Sequence, residues 1–582
     1  MCYRVGGQAL SGHLGICVPP SCTGPALEAL LEQGVLTPLE KLFGRVLDAP
    51  KIDCKSPNRE LDGAAIACIV LLVILASLCV AGTVVDLLFR ARKERYAELL
   101  GNSSDGLEAP LLGGGAALSL NSQSAMPREP VMSFGERLLH SFSVPHNLVR
   151  LSAERPSNLT ALNGLRVFCI IWIILGHTNI YQNNVGIKNP GYLLNVVVKR
   201  PSFQLVVGAD MGVDAFFFLS GFLVAYMAVD ELANKGRINW GLYYFHRIWR
   251  LTPSYAFVLF IYVALSPYMG SGPMWNTYQA TLGFTNTTPS NACSKYWWTN
   301  LLYINNLYPA DFEDQCFKWG WYLAIDTQLY AISPIFLFAY HKSRRIGWAL
   351  VVFAAFLGTA IRCILIEVNH LTLSGAAAAH ELNELYGKPW SRMAPYMIGM
   401  AVAFRVLEIR NRDGHMNRSF SKLHDFIGKP LAWATMIACV FGKYQFFKHG
   451  LNWGGAEEFF YLGFVRTSFA LGLGYILFFS FFRKGGIVRA ILGAAPLTTF
   501  ARLTYNTYLV HPAMISVVYF SQSDFPIYSN LTTAQFFFSN VIMAFGLATL
   551  VFLMVEKPMM NLEVVLFHRK KRAGPKPTKG TN

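Results

Sequence analysis

The sequence predicts an all-α fold: a polytopic membrane bundle of about eleven transmembrane helices, with a small disulfide-bearing ectodomain remnant at the N-terminus. Three observations predict it. Of 582 residues, 53% are hydrophobic and only 14% charged, against roughly 25% charged in soluble domains. The charges gather in short clusters between long apolar runs, the pattern of a chain solvated by lipid. Successive clusters alternate between basic and nearly neutral, as the positive-inside rule requires of loops on opposite faces of a membrane. The net charge of +16 is explained by basic residues at helix ends, so nucleic acid is not an expected partner.

Residues 1–62 carry Cys2, Cys17, Cys22 and Cys54. They read as the C-terminal part of an extracellular or luminal domain, where disulfides persist. Four cysteines allow three pairings, and none is assigned. No signal peptide precedes Cys2, so the sequence is expected to begin inside that domain. The run "GAAIACIVLLVILASLCVAGTVV" at 63–85 is the first span, long enough to cross. Residues 86–157 form a cytoplasmic linker whose Gly-, Ser- and Pro-rich stretch "GNSSDGLEAPLLGGGAALSLNSQSAMPREP" predicts disorder over most of it. Residues 158–558 make one membrane domain, with further spans at 162–181, 206–227, 251–268, 319–340, 346–367, 389–407, 431–447, 461–482, 496–520 and 536–555. A basic cytoplasmic tail, 559–582, closes the chain.

With the N-terminus outside the cytoplasm, the inner segments hold the Arg90–Arg95 cluster, Lys235 to Arg250, Lys342 to Arg345, Arg410 to Lys422, Arg483 to Arg489 and the tail, while the alternate loops hold few cations. The C-terminus is then cytoplasmic, and the membrane is the endoplasmic reticulum, another endomembrane or the plasma membrane. Cys293 and Cys316 share an outer loop, and their pairing is the simplest there. Cys68, Cys79, Cys169, Cys363 and Cys439 lie in spans and read as small packing residues. Glycosylation sequons at Asn286 and Asn530 fall outside; those at Asn102, Asn158 and Asn417 fall inside.

Ionisable residues inside spans are costly, so each is a functional candidate. The orientation sorts them by depth. Arg166 falls near the cytoplasmic face; His177, Asp214, Asp326 and Arg392 fall in the outer half. A histidine beside a buried carboxylate makes a general base, the carboxylate fixing the tautomer and steadying the imidazolium. Asp326 and Asp214 are both at a suitable depth for His177. The alternative is a histidine that only bonds a neighbouring helix. On the inner side "YYFHRIWRLTPSYAFVL" places Arg247 and Arg250 on one helical face. With Arg166 and Arg345 they could clamp phosphates, or they serve only to orient the span. "ARLTYNTYLVH" adds Arg502 and His511 in one span, and "FLMVEKP" places Glu556 at a helix exit. There is no HExxH, no Walker loop and no GxSxG elbow, so no metal or bound cofactor is expected.

The pieces "LNGLRVFCIIWIILGHT", "GVDAFFFLSGFL", "YYFHRIWRLTP", "WYLAIDTQLYAISPIF", "YLVHP" and "VEKP", in that order over 162–558, resemble the acyltransferase 3 family. The start "GHLGICVPPSC" is similar to the end of the extracellular domain on its animal branch, the nose resistant to fluoxetine proteins. The resemblance implies an O-acyltransferase of the membrane. Acyl-CoA is the implied co-substrate on the cytoplasmic side, and a lipid or glycan hydroxyl the acceptor outside. It places the family's histidine on His177 and its early arginine on Arg166. The basic pair falls on Arg247 and Arg250, and the carboxylate on Asp326, four residues before Tyr330 and a methylene shorter than the bacterial glutamate. Tyr330, His511 and Arg392 complete the expected substrate site, with Arg392 supporting an oxyanion. The rival readings are a lipid or small-molecule transporter with a path through His177, Asp214 and Asp326, and a scaffold that uses its ectodomain. Membrane lipids are the remaining expected partners.

Overall fold

The structure is a computed structural model that describes residues 2–4, 11–13, 60–104, 129–153, 159–271, 275, 292–373, 382–413, 424–449, 453, 455–482 and 486–567. Cys17, Cys22, Cys54, the sequons at Asn158, Asn286 and Asn417, and residues 568–582 of the basic tail lie outside the described residues, whereas 559–567 are helical. At the N-terminus β1 (Cys2–Arg4) pairs antiparallel with β2 (Ser11–His13). Everything else described is helix or connection.

The first helix, α1 (Gly63–Ser104), runs well past the expected end at 85. The linker expectation also needs correcting. Much of the Gly-rich stretch lies outside the described residues, but α2 (Phe134–His140) and α3 (Val144–Ser152) are ordered helices. Their sequence accounts for this. Ser133 and Glu136 form a reciprocal capping box on α2, and Ser143 caps α3 with Pro145 in its first turn. At the far end of α3, Arg502 donates to the carbonyls of Arg150, Leu151 and Ala153. A cation there satisfies groups that a helix C-terminus leaves open.

The membrane domain follows as α4 (Ala161–Val185), α5 (Met211–Lys235), α6 (Trp240–Met269), α7 (Ala292–Leu301), α8 (Trp321–Lys342), α9 (Arg344–Val368), α10 (Pro389–Asp413), α11 (Lys429–Phe441), α12 (Gly455–Phe482), α13 (Ile487–Leu492), α14 (Ala495–Phe520), α15 (Asn530–Val551) and α16 (Lys557–Phe567). Among the described residues, eight helices are long and apolar enough to cross a membrane. The expected count of eleven is therefore not reached. Segments 389–407, 431–447 and 496–520 do hold helices α10, α11 and α14. But α10 and α14 carry arginines and other polar side chains that neighbouring helices solvate, and α11, at 13 residues, is about 20 Å long.

The core has three main parts. One is centred on α5, α10 and α12, around Phe218, Phe222, Tyr396, Phe404, Leu473 and Phe481. There α5 and α10 touch backbone to backbone: a Cβ at Gly221 would strike the Tyr396 carbonyl, and one at Gly399 the Phe218 carbonyl. Small residues at such a crossing let helices approach where lipid supplies no hydrophobic drive. The second part joins α4, α14 and α15 through Ile170, Ile174, Ile515, Tyr519 and Phe545. The third packs α6, the connection before α8 and α14 around Tyr255, Tyr262, Phe317 and Leu509. Within it, the Cys293–Cys316 disulfide closes the connection before α8, as the cysteine positions predict. The five cysteines in spans are free thiols, all buried except half-buried Cys363.

Candidate active site

His177 lies on α4 and His511 on α14, each 16 residues past the first residue of its helix, about 24 Å along. The equal register brings the rings together: His177 Nδ1 stands 2.8 Å from His511 Nε2, and the rings stack with centroids 5.0 Å apart. His511 is fully buried and His177 half-buried. His511 Nδ1 lies 2.9 Å from the Thr507 carbonyl oxygen. A carbonyl can only accept, so His511 Nδ1 carries the proton and its Nε2 is a lone pair. His177 Nδ1 must then donate, which leaves His177 Nε2 unprotonated. The local sequence supports this arrangement. Pro512 has no N–H to give the Tyr508 carbonyl, and that carbonyl adds to the field around His511.

The expected carboxylate partner of His177 is thus replaced by a second imidazole. Both Asp214 oxygens are taken: Arg392 Nη1 donates to Oδ1 and Arg466 Nη1 to Oδ2, each at 2.7 Å. Asp326 Oδ2 accepts from Arg247. Asp214 sits at the third residue after Met211 and faces α10 and α12 across the Gly221–Gly399 crossing, so the helix that carries it turns it away from α4. Arg392 is fully buried between the rings of Tyr386 and Trp321, 4.7 and 5.1 Å from their centroids. Asp210 extends this network toward Arg466 and Lys443 at 3.8 and 3.7 Å. Arg392 Nη1 is thereby taken by a carboxylate, while its Nη2 is buried without a hydrogen-bond partner.

The Arg247–Asp326 contact corrects a second expectation, which placed the two on opposite sides of the membrane. The helix carrying Arg247 begins at Trp240, not at Leu251, so Arg247 lies about two turns inside it. The aromatic stretch before it packs on α8. The Tyr330 hydroxyl donates to the Tyr243 carbonyl at 2.9 Å, the Tyr243 hydroxyl returns to the Tyr330 carbonyl at 3.3 Å, and Arg247 stacks 4.0 Å over the Tyr330 ring. Two polar atoms of this pair, Asp326 Oδ1 and Arg247 Nε, are buried without a hydrogen-bond partner. Buried orphans of this kind mark a place where a ligand group can complete the set.

Arg250 keeps company with a different set. It is exposed and lies within electrostatic reach of Arg166 and of Glu556. Glu556 accepts from Asn506 at 2.7 Å. Arg166 and Tyr322 also lie within electrostatic reach, as do Tyr322 and Asp326. The structure therefore brings together Arg166 with Arg250, His177 with His511, and Arg247 with Asp326 and Tyr330, but it separates Asp214 and Arg392 into their own network. Sequence reasoning missed Arg466. Its signal was available: a lone cation inside the apolar run 461–482, five residues past its start. Among the described residues no group of three His, Cys, Asp or Glu could hold a metal ion.

Comparison with known proteins agrees with this architecture. The acyltransferase domain family, acyltransferase 3, matches residues 159–555. Nose resistant to fluoxetine protein 6 of Caenorhabditis elegans is 25% identical over 96% of this chain and 67% of its own length. Regulator of hypoxia-inducible factor 1 from the same organism is 25% identical over 45% of this chain and 54% of its own. O-acetyltransferase OatA of Staphylococcus aureus is 25% identical over 34% of this chain and 28% of its own. The chain thus spans about half or less of two of these relatives. No solved structure matches it. A helical membrane bundle whose family match runs from the start of α4 to Val555 belongs to the acyltransferase 3 family.

Proposed function

We propose that this chain is an O-acyltransferase that moves an acyl group from an acyl-CoA-type thioester to a hydroxyl of a lipid or glycan. The observation that carries the reading is the locked tautomer: the Thr507 carbonyl sets His511, His511 sets His177, and His177 Nε2 is left as a base. The acceptor hydroxyl gives its proton to that nitrogen while its oxygen attacks the thioester carbonyl. The C–S bond breaks, the thiolate leaves, and the proton passes on to it. The imidazolium formed on His177 donates through Nδ1 to the neutral His511.

The donor site follows from the cations. Arg166 and Arg250 approach each other with Glu556 as the nearby counter-charge, an arrangement suited to phosphates. Arg166 lies 11 residues before His177 on α4, about 16 Å, a gap that a long thin thioester arm can bridge. The orphaned Asp326 Oδ1 and Arg247 Nε between them would hold polar groups of that arm. By the positive-inside rule the end bearing Lys235, Lys342 and Arg410 faces the cytoplasm. The donor then binds from the cytoplasm and the acceptor meets His177 from the other side. A proton or substrate path through Asp214 and Asp326 is less well supported, because both carboxylates are held by guanidinium groups.

The test is thiol release from acetyl-CoA by the full chain in liposomes supplied with membrane lipid and glycan extract. His177→Ala is expected to lose about 10²- to 10⁴-fold in rate. His511→Ala, which unlocks the tautomer, is expected to lose about 10- to 100-fold. Full activity in His177→Ala, or no donor-dependent release by the wild type, discards the proposal.

A further inference from the structure

A cleft of about 320 Å³ opens between α2, α3 and α16. Arg137, His140, His146, Arg150, Lys557 and Asn561 line it, and none of its lining residues is acidic. Every one of them lies before residue 159 or after residue 555, outside the stretch matched by the acyltransferase family. The cleft is therefore built from residues other than those of the transfer site, although Lys557 lies beside Glu556.

Its frame is built. Asn561 Nδ2 donates to the Ser141 carbonyl at 3.1 Å and to Asn147 Oδ1 at 2.9 Å, and fully buried Asn147 donates to the Ser141 carbonyl at 3.0 Å. These bonds pin α16 to the α2–α3 corner. From α1, buried Asp86 accepts from Ser143 Oγ at 2.8 Å and faces His140 Nε2 at 3.2 Å. The His140 and His146 rings then stand 4.5 Å apart. Five side chains able to carry positive charge converge here. Burial first, and then the neighbouring His140 and Arg150, hold the His146 imidazole below its ordinary range. Asp86 offsets charge at the His140 end, and cations crowded along the rest of the cleft favour an anionic ligand.

We propose that the cleft binds a phosphate-ester group. Two guanidinium groups, an ammonium and the His146 imidazole offer more donors than one carboxylate can accept, whereas a phosphate has oxygens for several charge-assisted bonds. The volume falls at the low end of small-ligand pockets. Val564 and Val565 add apolar side chains to its lining, Val564 exposed, so a phospholipid headgroup with its chains along that rim and a free phosphorylated compound share the required chemistry. Neither depends on the acyl-transfer reading.

The experiment titrates the full chain in neutral detergent with short-chain phosphatidic acid, short-chain phosphatidylcholine and inorganic phosphate, and reads bound species by native mass spectrometry. Phosphatidic acid is expected to be retained more strongly than phosphatidylcholine. Arg150→Gln is expected to weaken that retention about tenfold, the loss of one charge-assisted hydrogen bond. Lys557→Gln should act alike. Arg137 and Arg150 are both exposed, so Arg137→Gln with Arg150→Gln carries the test if the Lys557 variant fails to fold. Displacement of phosphatidic acid by inorganic phosphate assigns a free phosphorylated ligand; retention against it assigns a lipid headgroup. Equal retention of the two lipids, or undiminished phosphatidic acid binding by the Arg137→Gln/Arg150→Gln variant, overturns the proposal.

Discussion

Each oxygen of the Asp214 carboxylate faces its own guanidinium, so deleting that carboxylate takes the ion-pair partner from buried Arg392, while Arg466 keeps Asp210. Leaving a buried charge without its partner costs about 3–5 kcal/mol. Asp214→Ala should therefore lose at least that much, read as a fall in the thermal unfolding midpoint in detergent, and Asp214→Asn should lose less because its amide oxygen still accepts one bond. A variant as stable as the wild type would remove this network from the forces that hold α5, α10 and α12 together. At this scale the sequence shows which residues are costly in lipid, since a charge in an apolar run needs no neighbour to be noticed. It does not show their partners. Asp214 and Asp326 look alike by depth, and only the faces on which they leave their helices send one to Arg392 and Arg466 and the other to Arg247. The histidine pair is hidden for the same reason: 334 residues separate His177 from His511.

Helices meet here through a few close approaches, and these can be tested one at a time. Gly221→Ala and Gly399→Ala both drive a methyl into a facing carbonyl across the α5–α10 crossing. Overpacking of that kind costs about 1–3 kcal/mol, so both variants should unfold at lower temperature. Gly546→Ala on α15, where nothing lies within 4 Å of the added carbon, should be neutral or gain up to about 1 kcal/mol. A second test concerns the capping box on α2. The Ser133 backbone N–H, Arg92 and the Ser133 hydroxyl hold the Glu136 carboxyl below its ordinary range. A depressed carboxylate stabilises above its unfolded value, 4.5 for glutamate, and loses that contribution as pH falls through the folded value. Hydrogen-exchange protection of the first turn of α2 should drop below about pH 4.5, and Glu136→Gln should show the loosened cap already at neutral pH. The box itself is readable in the sequence as Ser133 and Glu136 three apart; the composition of the linker around it conceals it.

The whole molecule has two ends of different chemistry. Lys235 ends α5 at a basic turn, and Ile527 is exposed in the connection before α15. Cysteines placed at these positions in an otherwise labelling-silent chain should react with a membrane-impermeant thiol reagent from opposite sides. Labelling of both from one side would break the donor-below, acceptor-above arrangement. The long apolar helices are legible from composition alone. α10, α11 and α14 stand at the expected segments 389–407, 431–447 and 496–520, but α11 is too short to cross, and α10 and α14 carry polar side chains that a helix wrapped by protein tolerates.

The outermost helix has its own meaning. Only 17% of the most apolar stretch of α1 is buried, against 56% for α4 and 67% for α12. Its polar holds on the α2–α3 corner are the Asp86 latch, the Arg92–Glu136 pair and the Thr83 hydroxyl, which accepts from the Val144 N–H at 3.2 Å. A rod seated so lightly is a mast beside the hull: altering its lipid-facing side should leave the packing around His177 and His511 in place, provided Asp86 and Glu136, the carboxylates that fasten it to the α2–α3 corner, are kept.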